Sequence, residues 1–256
     1  MLQYSDIKKL VWILHRSPVL RFLSRRLFKG FTLKQSFYNG IICFDPIESS
    51  YMFRKDYKFD TYDTNVLDAL LLLSWDYEIM IDIGCNVGAM VLSVLLRNPN
   101  IKAICIDPNP RAIALLKESI RINKLTSRIS TIEAVVSDKE GAVRFAKEDF
   151  VTSHVSELGD VVRSISFADL INSHSCSAKC LVKIDVEGLE AILMRQLAHL
   201  AHLHNLCFMI ELHPLGYNDT GNPEECLNLL LESGAVVSKI EQENGLNQVI
   251  AMWKNE

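Results

Sequence analysis

Apolar residues recur along this chain at two spacings, and the change of spacing marks out its elements. Residues 63–75 place apolar side chains at helical intervals, which predicts a helix. From residue 78 a strand–helix alternation begins. EIMIDIG (78–84) reads as a strand and VGAMVLSVLLRN (87–98) as a helix. KAICIDP (102–108) is a strand, residues 110–124 a helix and ISTIEAVV (129–136) a strand. Residues 139–165 are polar and irregular, with a short strand at AVRFA (142–146). SFADLI (166–171) predicts a short helix, CLVKIDV (180–186) a strand and EGLEAILMRQLAHL (187–200) a helix. NLCFMIELH (205–213) is a strand and EECLNLLLESG (224–234) a helix. AVVSKIEQ (235–242) and NQVIAMWK (247–254) close the chain as strands. Upstream, residues 1–29 read as one or two helices broken near Pro18. IICFD (41–45) and SYMFR (50–54) read as a strand pair with Pro46 in the turn.

Five internal strands alternate with helices, and several are apolar runs without alternation. That is the pattern of a parallel sheet covered on both faces. The last two strands flank Glu243-Asn244-Gly245, a turn too short for a parallel crossover, so they form an antiparallel hairpin. The fold class is therefore α/β, with a mostly parallel sheet ending in a C-terminal hairpin and preceded by a helical extension. The organisation read from the sequence is a basic helical extension at 1–35, a strand pair and helix packing on the core at 36–75, and the main domain at 76–256.

Composition narrows the class without naming a chemistry. With 256 residues, 49% hydrophobic and 23% charged, the chain can bury a sizeable core. Seven cysteines, an odd number without a CxxC pair, argue against a disulfide framework and a structural zinc site. They fit a reducing cytoplasm. The charge is uneven: residues 1–34 hold eight Lys/Arg and one acid, a net of +7, and the rest carries −11. Such a head either meets an anionic surface, a membrane or an acidic glycan, or docks on the acidic body. No apolar run approaches the roughly 20 residues of a membrane span. LVWIL (10–14) is also too short for a signal peptide, whereas an interfacial amphipathic helix through Phe28 fits the pattern. The expected location is the cytoplasm or its membrane surface, and nucleic acid is not an expected partner.

The chemistry-bearing residues gather at predicted strand ends, where open α/β sheets bind ligands. Asp82 and Gly84 end the first strand, with Asn86 and Gly88 in the turn behind them. Gly84 permits a sharp turn close to a ligand, and Gly88 close approach of helix and strand. The loop amides are expected to face the ligand. D-x-G-x-x-x-G is not the dinucleotide fingerprint G-x-G-x-x-G, and the acid suits an amine-bearing ligand better than a pyrophosphate. Asp107, 25 residues on, ends the second strand and is placed to accept hydrogen bonds from both ribose hydroxyls, or to cap the helix that follows. Ala134, Ser137 and Asp138 follow the third strand, where small side chains suit an adenine face. These strand ends describe a pocket for a nucleoside that carries an amino acid.

A further cluster lies at the fourth and fifth strand ends: Asp185, Glu187, Glu190, Glu211 and His213. His213 or Asp185 as a general base is the favoured reading. A divalent cation on Asp185, Glu211 and His213 is the alternative. Glu187 and Glu190 as helix caps are the structural one. Lys183 is placed to pair with one of the acids. HLAHLH (199–204), with His199, His202 and His204, sits at a helix end away from the pocket. His154 falls in the polar loop at 147–160, a segment placed to cover an acceptor.

The strand-end set resembles the Rossmann-like S-adenosylmethionine-dependent methyltransferases. VKIDVEGLE (182–190) is similar to the hallmark of the FkbM family, a KIDVEG-type segment followed by a second Glu. DIGCNVG (82–88), DPNP (107–110), VSDKEG (136–141) and IELHP (210–214) add to the resemblance, in family order over roughly 60–215. Cys85 stands where the family often has Ala, Asp107 where it often has Glu, and Tyr62-Asp63 in place of a frequent Tyr-Glu. The resemblance implies a seven-stranded sheet and methyl transfer from S-adenosyl-L-methionine to a hydroxyl of a sugar, surface glycan or secondary metabolite. It implies a cofactor site at Asp82, Gly84, Asn86, Gly88, Asp107, Ala134, Ser137, Asp138 and Asp185, and chemistry at Asp185, His213, Glu211 and Glu187. A nicotinamide dehydrogenase and a non-catalytic binding module are the competing functions.

Overall fold

The computed structural model describes residues 30–46, 49, 64–146, 154–155, 159–213, 220–240 and 247–254. Strands β1 (Leu33–Phe37) and β2 (Gly40–Phe44) form a hairpin. Then follow α1 (Thr64–Ser74), β3 (Ile79–Ile83), α2 (Ala89–Leu95), β4 (Lys102–Asp107), α3 (Pro110–Ile122) and β5 (Ile129–Glu133). A second sheet is built from β6 (Val135–Ser137), β7 (Gly141–Ala146), β8 (His154–Val155) and β9 (Asp160–Ser166). The main alternation resumes with α4 (Phe167–Ser175), β10 (Cys180–Ile184), α5 (Glu190–Met194) and β11 (Leu206–Leu212), and ends with α6 (Pro223–Glu232), β12 (Val236–Ile240) and β13 (Asn247–Met252).

The main sheet has seven strands in the order β5-β4-β3-β10-β11-β13-β12. Its internal pairs are parallel, and β13 runs antiparallel to both β11 and β12. This is the α/β, Rossmann-like methyltransferase architecture expected of the sequence. Alternate strand residues feed two cores. Met80, Cys105, Leu181, Cys207 and Met209 pack with Leu67, Leu70, Leu92 and Leu116 of α1–α3. Ile81, Ile83, Val182, Ile184 and Phe208 pack with Leu170, Leu193 and Leu230 of α4–α6. Burial on both faces explains why these strands read as continuous apolar runs. Strand order reverses between β3 and β10, and this switch point positions the site.

Several boundaries differ from the sequence reading. The expected partner of β2 was 50–54, which lies outside the described residues; β2 pairs instead with the preceding segment, through a tight turn in which Tyr38 adopts φ 49°. Asn123 ties this hairpin to α3, accepting from Ile41 N and donating to Ile41 O, while Ser119 Oγ accepts from Cys43 N. The expected strand 129–136 breaks at Ala134, whose N–H turns to the Asp107 carbonyl, and β6 joins the second sheet. The segment 139–165 holds the expected short strand at 142–146 as β7, paired antiparallel with β9, a stretch read as irregular. Its polar composition hid the pairing, because one face of an antiparallel ladder can be solvated. The helix expected over 187–200 is one short helix and a 3-10 turn at Leu197–His199. The helices expected in 1–29, and the Asn-Gly turn of the final hairpin, lie outside the described residues. All seven cysteines are free. Among the described residues no helix is long and apolar enough to cross a membrane.

Candidate active site

The first wall of the site is the loop after β3. Gly84, Asn86 and Gly88 all have positive φ, at 80°, 50° and 83°. A Cβ on Gly84 would overlap the carbonyl oxygen of Asp185, so this glycine lets two strand ends of the protein meet. Gly88 faces Leu116 of α3 rather than strand β3, and it caps α2. The loop amides do not face outward as expected. Gly84 N and Cys85 N donate to Ile106 O, Asn86 N to Asp107 Oδ2, Val87 N to the Asn86 side chain and Gly88 N to Cys85 O. A loop closed on itself is rigid, and it has no free amide with which to cradle a phosphate.

Three acids project from this side of the sheet at or just past the ends of β3, β4 and β10. Asp82 is fully buried and neither carboxylate oxygen has a close hydrogen bond; the Val91 N–H exerts a weak pull and the Lys183 Nζ is 3.9 Å away. Burial raises its pKa to about 6 against the pull of Lys183. Asp107 accepts Asn86 N–H on Oδ2 and Asn109 N–H on Oδ1, both at 2.8 Å. Asn109, not Asp107, caps α3. Each Asp107 oxygen keeps a free lone pair. Burial raises its pKa to about 6, opposed by those two amides. Beside Asp107 lies a cavity of about 440 Å³ lined by Pro108, Pro110, Glu133, Ala134 and residues 160–163 of β9. Ser137 is buried and donates to Asp138, which is exposed.

The second wall is a carboxylate–imidazole cluster. One residue past the paired Ile184 and Ile210, Asp185 and Glu211 come level, and Glu211 pairs with Gln248 of β13. His213 lies two residues beyond Glu211. Its Nε2 is 3.5 Å from Glu187, 3.6 Å from Asp185 and 3.7 Å from Glu211, while Nδ1 is 2.8 Å from Glu190. Lys183 donates to Asp185 Oδ2 at 2.9 Å, as anticipated, and Gln248 Nε2 to Glu211 Oε2 at 2.8 Å. Burial opposes charge on His213, but the Glu190 hydrogen bond and the fields of Asp185 and Glu187 push it up to about 10. Burial also opposes charge on Asp185, yet Lys183 and His213 hold its pKa low. Glu187 is raised to about 8 by burial, with like charges on Asp185 and Glu211 adding to it and His213 opposing.

All four residues expected to carry the chemistry thus converge. Glu190, read either as a site acid or as a helix cap, is fully buried against His213, and its Oε2 accepts Gly188 N–H. Gln248 was missed, because its only signal is the cross-strand register with Glu211. His199, His202 and His204 stay exposed around two 3-10 turns, away from the cluster. His154 lies in β8.

Comparisons with known proteins agree with this architecture. The methyltransferase small domain model matches residues 61–154, under half of the chain. A methyltransferase FkbM from Methylobacillus flagellatus KT superposes with a TM-score of 0.52 at 15% identity, covering 69% of this chain and 44% of that one. An O-methyltransferase family protein from Burkholderia thailandensis gives a TM-score of 0.50 at 12% identity, covering 98% of this chain and 73% of that one. The chain therefore spans less than half the length of the first of these. At such identities the likeness is one of fold. No curated protein matches the sequence.

Proposed function

We propose that this protein is an S-adenosyl-L-methionine-dependent O-methyltransferase of the FkbM type, acting on a hydroxyl of a sugar, surface glycan or secondary metabolite. The matching domain model and the methyltransferase fold support the reaction class. The observation that carries the reading is the acidic switch point set beside the carboxylate–imidazole cluster. Asp107 keeps two lone pairs for a ribose diol, and the neighbouring cavity between Pro108 and Ala134 takes the adenine. Asp82 lies beneath the loop and acts through its charge, which favours the cationic amino-acid half of the cofactor. A dinucleotide is disfavoured, because the loop amides that would hold its pyrophosphate are already bonded within the protein.

The reaction is an in-line displacement. The acceptor oxygen bonds to the sulfonium methyl carbon, the carbon–sulfur bond breaks, and neutral S-adenosylhomocysteine leaves. The hydroxyl proton must go to a base. Lys183 engages Asp185 and Gln248 engages Glu211; Glu187, raised to about 8, is the more basic carboxylate and takes the proton in its ionised form, which gains population as the pH rises through about 8. His213, held at Nδ1 by Glu190, sets its ring among the carboxylates and orients them. The base role that the sequence reading gave to His213 or Asp185 passes to Glu187 in this scheme.

Methyl-labelled cofactor incubated with a panel of sugars, glycans and polyols tests the acceptor class. Label in an alkali-stable ether is the expected result. Label confined to RNA, or to an alkali-labile ester, would overturn the O-methylation of a hydroxyl.

A further inference from the structure

We propose that Asp185, Glu211 and His213 form a binding site for one divalent cation, which rests on the methyltransferase reading only for the use made of the ion. One donor atom from each residue lies within 4.8 Å of the other two. The second polar atom of each is already engaged. Asp185 Oδ2 is held by Lys183, Glu211 Oε2 by Gln248 and His213 Nδ1 by Glu190. Asp185 Oδ1, Glu211 Oε1 and His213 Nε2 are thereby turned toward a common point, with Nε2 3.6 Å and 3.7 Å from the two oxygens. Donors bound at about 2.1 Å to one ion lie about 3.0–3.5 Å apart, so a small closure completes the shell. Outer partners of this kind fix ligand orientation in metal sites.

An unmet polar group lies beside the cluster. Gln248 is 1% exposed and reaches into this cluster with its amide, yet its Oε1 has no hydrogen-bond partner. Contact with Glu211 fixes the amide, because reversing it would set oxygen against a carboxylate. A buried carbonyl oxygen left this way is destabilising unless a donor or a cation faces it. The charge balance runs the same way: Asp82, Asp185, Glu187, Glu190 and Glu211 surround a single lysine, Lys183, and His213.

Two carboxylates and one imidazole select a borderline ion of the Mn2+, Fe2+ or Zn2+ kind over Ca2+. An ion held there would polarise the acceptor hydroxyl, and Glu187 would take its proton.

The test is titration of the purified, chelator-treated chain with Mn2+, followed by the loss of the free-ion paramagnetic signal, without any S-adenosyl ligand. Glu211→Gln and His213→Gln are compared with the wild type, and circular dichroism reports their folding. The expected result is one site per chain, weakened at least about ten-fold in each folded variant. No Mn2+ or Zn2+ binding by the wild type below about millimolar, or affinity unchanged in both variants, overturns the site. S-adenosylhomocysteine titrated in parallel separates the two readings. Mn2+ bound without the nucleoside removes the methyltransferase reading and leaves the metal site standing, whereas the nucleoside bound without Mn2+ overturns the metal site alone.

Discussion

Gly84 and Asp82 lie two residues apart and make opposite demands on the fold. A side chain on Gly84 collides with the Asp185 carbonyl and must also tolerate φ 80°. Gly84→Ala is expected to destabilise the protein by about 3 kcal/mol or more, read as a fall in the thermal midpoint. Asp82 is the reverse case, a buried carboxylate without a close hydrogen bond. Its pKa and that of Asp107 are raised on folding from 3.8 to about 6. Each therefore contributes stability that is fully present below 3.8 and lost as the pH rises through about 6. At pH 7 Asp82→Asn is expected to raise the thermal midpoint, by on the order of 1–3 kcal/mol of stability, and to weaken the nucleoside. An unchanged or lowered midpoint would show that Lys183 compensates the charge in full. In the proposed site Asp107 would bind the ribose as a carboxylate, so S-adenosylhomocysteine affinity should be level above pH 7 and fall as the pH drops through about 6. Asp107→Asn should reduce that step to the part carried by Asp82, and the double variant with Asp82→Asn should remove it; an undiminished step in Asp107→Asn would assign it elsewhere. The acids were legible in the sequence because each stands at the end of an apolar run. The orientation of the loop amides was not, because it depends on Ile106 and Asp107, which come more than 20 residues later.

At the scale of elements, the parallel strands and their helices could be read from periodicity because the inner strands β3, β10 and β11 are buried on both faces and helices such as α3 and α4 on one. Of the second sheet and the β1–β2 hairpin, single strands such as β7 and β2 could be read, but their pairing could not. Both depend on pairing between segments whose composition is mixed, such as Gly141–Ala146 with Asp160–Ser166. The hairpin is attached from outside, through Asn123 and Ser119 of α3 and its flank and through Arg111, which reaches Thr32 and Asp45. Asn123→Ala removes bonds to both polar groups of Ile41 and should cost about 1–3 kcal/mol. Amide hydrogen exchange should quicken across 33–44 while β3, β10 and β11 stay protected. Loss of protection throughout the sheet would mean that the hairpin is integral to the core.

At the scale of the molecule, the sheet order brings one acid each from β3, β4 and β10, and then Glu211 and His213, to a single edge of the fold. The first strand ends form the cofactor half of the proposed site, and the later ones its chemistry. The central claim is that this edge binds a nucleoside carrying an amino acid and not a dinucleotide. Calorimetric titration of the wild type and Asp107→Ala with S-adenosylhomocysteine, and separately with NAD, tests it most directly. The account predicts saturable binding of S-adenosylhomocysteine alone, weakened by the substitution. Binding of NAD, or of neither ligand to the folded protein, would contradict it.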